Sequence, residues 1–137
     1  EMILIQAEGL AKSGQTSEAV ALLEDFVRTY RDPSYSVSAG GRSLEDEIWF
    51  QRRVELWGEG FSNADTRRLN KPLVRFHAGV FSNVPAAFRF NMSEDDGWWL
   101  LRFTSAEKNT NLAIVDNTGG TKPVQDQNGS LRDGVTD

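Results

Sequence analysis

Two apolar segments open the chain with only a few residues between them, and that brevity leaves them little choice of arrangement. In EMILIQAEGLAKSG, Ile3, Ala7 and Leu10 recur at helical spacing, with Leu4 and Ala11 beside them. The spacing predicts a helix to about Ser13, with Gly14 as a left-handed C-terminal cap. A second helix follows at once. Thr16 or Ser17 can cap it, and Glu18 stands in the first turn, where the helix dipole favours an anion. Its expected stripe is Ala19, Leu22, Leu23, Phe26 and Tyr30, and Pro33 ends it by disfavouring helix at Asp32. Helices joined by so short a turn must pack antiparallel.

The small residues sharpen this. Ala7, Leu10, Gly14, Ala19 and Leu23 fall where a tetratricopeptide (TPR) repeat places its small, large, glycine, alanine and large residues. One such unit is visible, and a plain helical hairpin accounts for the same pattern. The helical pattern runs from the first residues with no capping residue before it, so the chain is expected to be a fragment of something longer. The 137 residues suffice for one domain with a modest core. A net charge of −5 argues against nucleic acid as an electrostatic partner. Without cysteine there is no disulfide, thiolate metal site or cysteine nucleophile. The apolar runs MILI and WWLL are too short to span a bilayer.

Further along, Ser43 is expected to cap a third helix, with Asp46 completing a weak capping box. That helix runs from Leu44 to about Trp57, and Phe50, Val54, Trp57 and Phe61 form one stripe, with Ile48, Trp49 and Leu56 close by, on a wide aromatic face expected to be buried on more than one side. Asn63 is expected to cap a short helix that Pro72 stops. After Leu73 the helical period fades. Alternation at Phe88 and Phe90, and at Trp99, Leu101 and Phe103, allows a small β-hairpin. Thr104 and Glu107 form a capping box for another short helix. The glycine-rich tail from Asp116, with Gly119, Gly120, Gly129 and Gly134, is expected to be irregular and held at few points. The expected fold is therefore mainly α: TPR-like antiparallel helix pairs over 1–72, then a loop-rich C-terminal portion of the same domain over 73–137.

Three constellations carry chemistry. Glu55 and Glu59 share a helical face, yet two carboxylates on adjacent turns seldom flank a substrate. The reading is a structural ion-pair motif of Arg52, Arg53, Glu55, Glu59, Asp65 and Arg68, with Gly58 and Gly60 ending the helix. Glu59 is expected to matter for folding. The lone His77 has no second histidine or cysteine to complete a metal site, and no serine sits in a nucleophile elbow, so no cofactor and no enzymatic activity are expected. Trp98 and Trp99, if extended, point to opposite sides, and one exposed indole would offer a flat platform for a sugar. Burial of both rings under the loops is the competing reading.

FQRRVELWGEGFSNADTRRLNKP (50–72) resembles the C-terminal signature of the SusD/RagB family, E-R-R-x-E-L-x-x-E-G-x-R-x-x-D-L-x-R, matching at Arg52, Arg53, Glu55, Leu56, Glu59, Gly60, Asp65 and Arg68. The opening helix pair is similar to the pair that precedes it in the family. RFTSAEKNTN resembles the late I-P-x-x-E-x-x-x-N element through Glu107 and Asn111. Gln51, Ser62, Thr66 and Thr104 depart from the pattern. The resemblance implies a non-enzymatic, lipid-anchored protein on the outer membrane of Bacteroidetes-type bacteria. It would bind an oligosaccharide or other nutrient and deliver it to a SusC-like TonB-dependent transporter. The anchor would lie on the N-terminal part absent from this chain. Ligand contacts vary among such proteins, so none is carried onto a residue here.

Overall fold

Helix α1 (Met2–Lys12) and helix α2 (Thr16–Tyr30) are joined by residues 13–15, with Gly14 in the left-handed region at φ 81°. Nothing lies within 4 Å of where its Cβ would be, so backbone conformation rather than space calls for glycine. Leu4, Ala7, Ala19 and Leu23 are fully buried. The two alanines let the backbones approach, and Leu4, Leu23 and Val27 fill the contact with Val37 and Ile48. Two details differ from expectation. Thr16 is the first helical residue, and neither it nor Gln15 supplies a side-chain cap. Val27 closes the stripe, while Tyr30, in the last turn beyond the core, is 69% exposed and rests on the Phe26 ring.

The computed structural model describes residues 1–115, 119 and 122–135. Among them the fold is mainly α, with five α-helices and no β-strand. No helix among them is long and apolar enough to cross a membrane. The chain divides into two units, Glu1–Leu69 with Gly134–Asp137, and Asn70–Asp133.

In the first unit, Ser43 caps helix α3 (Leu44–Glu55) as expected, its hydroxyl accepting from the Asp46 N–H at 3.1 Å. The expected face is buried only in part: Ile48, Trp49 and Leu56 are buried, whereas none of Phe50, Val54, Trp57 and Phe61 is. Val54 and Trp57 are exposed, Trp57 by 86%, while Glu47, Ile48, Trp49, Gln51 and Arg52 are buried. The helix stops at Glu55, which leaves Trp57 in the turn after it. The polar residues of the other face can be buried because each finds partners there. Helix α4 (Phe61–Arg68) begins earlier than expected. Its N-cap is Gly60, left-handed at φ 86°, and Asn63 lies inside the helix.

The second unit is loop-rich. It holds short 3-10 turns at Ala86–Phe88 and Gly97–Trp99, and helix α5 (Ser105–Thr110). The Thr104 hydroxyl caps α5 by accepting from the Glu107 N–H at 3.3 Å. No hairpin forms at 88–90 or 99–103. Among the described residues the one pairing is an isolated antiparallel bridge between Leu73 and Met92. Phe88 and Trp99 close 3-10 turns instead, and Phe90, Leu101 and Phe103 lie outside regular structure.

Asn91 organises this unit. It is fully buried. Its Oδ1 accepts from the N–H of Arg75 at 2.8 Å and of Phe76 at 3.3 Å. Its Nδ2 donates to the carbonyls of Phe76 and Asn128, each at 2.9 Å. The tail is held more firmly than expected. The N–H of Asn91 donates to the Gln127 carbonyl and that of Ala78 to the Gly129 carbonyl. A Cβ on Gly129 would lie 2.9 Å from that of Ala78, so only glycine allows this approach. Asp116 and Gly120 of the expected irregular tail lie outside the described residues.

Asn91→Ala would strand two N–H groups and two carbonyls, at a cost of about 2–4 kcal/mol. Denaturant unfolding of the variant checks this. Hydrogen exchange should rise first at Arg75, Phe76 and Ala78.

Candidate functional site

Of the six residues of the expected ion-pair motif, the fold brings three together. Arg52, on the buried face of α3, donates to Asp65 of α4 through Nε at 2.9 Å and Nη2 at 3.2 Å. Both side chains are about 5% exposed or less. Arg68, one turn after Asp65, donates to the same carboxylate at 2.7 Å. It also reaches α1, where Nη2 meets Glu8 Oε2 at 2.7 Å and Nη1 meets Oε1. Lys12 holds Glu8 from the next turn at 2.9 Å. The Arg68 hydrogen bonds, with help from Lys12, overcome the cost of burial and bring the Glu8 carboxyl down to about 2 from an ordinary value near 4.5. The same pair pushes the Arg68 guanidinium up.

The other three stand elsewhere. Arg53 lies over the Trp49 ring, 5.1 Å from its centroid. Glu55 faces Arg31 at 3.6 Å, not Arg52. Glu59 is exposed and makes no ion pair among the described residues. The expectation that it holds the fold is corrected. It sits in the glycine-flanked turn after α3, out of reach of the arginines on the helix. Glu55 and Glu59 therefore face different surroundings and do not form a carboxylate pair across a common substrate.

A second polar set lies beneath α3, on residues not singled out beforehand. Glu47 is 2% exposed. It accepts from the Tyr35 hydroxyl at 2.7 Å, Gln51 Nε2 at 2.8 Å and Arg42 Nη1 at 3.1 Å. Gln51 in turn accepts from Arg31. Burial, and then the Glu47 carboxylate, push the Tyr35 phenol above its usual range. Every partner is spoken for, so this set positions loop 31–43 against the helix rather than offering a free acid or base. The sign available in the sequence was Glu47 and Gln51 at i, i+4 on the helix that carries Arg52.

Trp98 and Trp99 occupy a 3-10 turn, not an extended segment. Asp96 captures the Trp98 N–H at 2.8 Å and closes that turn. Trp98 is 37% exposed. Arg102 lies over its ring at 5.4 Å from the centroid and donates to the Gly119 carbonyl. Arg102 thereby covers one face of the indole. Trp99 is half-buried, its Nε1 donating to the Ser93 carbonyl at 2.7 Å.

Comparison with protein-family models, with curated proteins and with solved structures finds no match.

Asp65→Ala would leave Arg52 buried with no counter-ion and cost about 3–5 kcal/mol. Glu59→Ala, exposed and unpaired, should stay within about 0.5 kcal/mol of the parent. Paired urea melts read this contrast. The acid limb reports Glu8. Its folded pKa lies below its unfolded one, so its stabilisation is complete above about 4.5 and is lost as pH falls towards 2. Melting temperatures across that window should fall less steeply for Glu8→Gln than for the parent.

Proposed function

We propose that this chain belongs to a cell-surface nutrient-binding protein of the SusD/RagB type. It would bind an oligosaccharide or other nutrient and pass it to a SusC-like TonB-dependent transporter at the outer membrane, without catalysing a reaction. One observation carries the proposal. Arg52, Asp65 and Arg68 are matched positions of the resembling signature, and they converge on one ion-pair set with Glu8 of the preceding helix pair. That gives the signature a physical reason for its spacing. It needs an arginine on one helix, an aspartate on the next and a second arginine one turn later. The signature is then scaffold, and ligand recognition falls to other surfaces.

Trp98 is a residue of this chain suited to a sugar, since the exposed part of its indole presents a rigid apolar surface. A second reading is a TPR-like scaffold for protein segments. It is favoured by the complete burial of Ala7 and Ala19 at the contact of α1 with α2.

Isothermal titration of the protein with a panel of neutral and acidic oligosaccharides tests the first reading. At least one should bind, and Trp98→Ala should weaken it about tenfold, consistent with loss of a stacking face. Trp99→Ala should change melting more than affinity. Absence of any glycan binding, with capture of a helical peptide instead, would favour the scaffold.

A further inference from the structure

Among the asparagines of the chain, Asn128 alone is followed by glycine. Such a pair is chemically labile in water. The peptide nitrogen of the second residue can attack the side-chain carbonyl carbon of the first, and glycine has no Cβ to hinder the approach. The side-chain nitrogen leaves as ammonia, taking the proton from the attacking nitrogen, and a cyclic succinimide remains. Water then opens the ring at either carbonyl, giving aspartate or isoaspartate. Asn128 is exposed, so water reaches it.

The nucleophile is unencumbered, since the Gly129 N–H has no hydrogen-bond partner among the described residues. The other end of the same peptide is held. The Asn128 carbonyl accepts from Asn91 Nδ2 at 2.9 Å and from the Leu131 N–H at 3.0 Å. The carbonyls on either side are engaged too, Gln127 with the Asn91 N–H and Gly129 with the Ala78 N–H. Asn128 stands at φ 57°, in the left-handed region, where the next nitrogen points away from the residue's own side chain. Ring closure needs the 128–129 peptide to turn over. Turning it breaks the bonds that clasp this segment to Asn91.

We infer that Asn128 is a deamidation site gated by opening of the Asn91 clasp, and that the reaction makes the opening permanent. Asn128 Nδ2 donates to the Asn91 carbonyl at 3.4 Å. A carboxylate in its place would set an acceptor against that carbonyl. Isoaspartate adds a methylene to the main chain, and Gly129 has no room to absorb it, because a Cβ there would already lie 2.9 Å from that of Ala78. The segment is therefore a one-way device: opening permits conversion, and conversion prevents reclosure. The inference does not rest on the glycan reading.

The full chain is incubated in mildly alkaline buffer, and conversion at Asn128 is followed by peptide mapping with an isoaspartate-specific methyltransferase. The same chain in denaturing urea gives the rate without a clasp. The folded parent should convert at least about tenfold more slowly, because conversion follows the open population. Sub-denaturing urea should raise conversion in step with hydrogen exchange at the Ala78 amide, and not with exchange at Leu23 in the first unit. Asn91→Ala should speed conversion in the absence of urea by about tenfold or more. Deamidated parent, separated by ion exchange through its added negative charge, should exchange about tenfold or more faster at the Asn91 and Ala78 amides. No conversion in urea, equal rates in the folded and unfolded chains, conversion that ignores Ala78 exchange, or unchanged exchange after deamidation would overturn the inference.

Discussion

The Asp65 carboxylate, held between Arg52 and Arg68, is the interaction on which the first unit turns. It is buried, so neither arginine can be replaced by water. Because it belongs to α4 and Arg52 to α3, it fixes the angle of a helix that makes little apolar contact of its own. Arg68 then passes the constraint to α1 through Glu8. Such a set contributes more to geometry than to net stability, since desolvation consumes most of the Coulomb attraction. The apolar work is done by α1 and α2, whose alanines and leucines need no such direction.

That division explains what could be read beforehand. The first helix pair was legible because Ala7, Gly14 and Ala19 each answer a local geometric demand. The face of α3 was legible only in part. By hydrophobicity alone, Phe50, Val54 and Trp57 outrank Glu47, Gln51 and Arg52. The outcome depended on partners twelve or more residues distant, Tyr35 for Glu47 and Asp65 for Arg52. Apolar periodicity finds a buried face only where burial is apolar. Here a polar face is buried because most of its donors and acceptors find partners.

The candidate site divides along the same line. Arg52, Asp65 and Arg68 were grouped in one ion-pair motif through the resembling signature, while the spacing had pointed Arg52 to Glu55; Glu8 was not legible, since nothing local ties it to a residue sixty positions away. Glu59 was misjudged because two glycines beside it move it off the helix. The tryptophan pair went astray for a smaller reason. Asp96 marked a turn correctly, but its side chain takes the Trp98 N–H and extends that turn through both indoles.

The Asn91 clasp has a consequence for how the chain reaches this state. Two of the groups that surround it, the carbonyls of Gln127 and Asn128, belong to nearly the last residues of their unit. Until that segment arrives, the centre of the unit has a polar side chain and no complete cradle for it. Closure therefore waits on a loop of more than thirty residues, whose ends must meet before any reward is collected. The opening helix pair, with its neighbours close in sequence, can form long before. Order of synthesis thus becomes order of assembly, with the loop-rich unit as the slow step and the stage most open to misfolding.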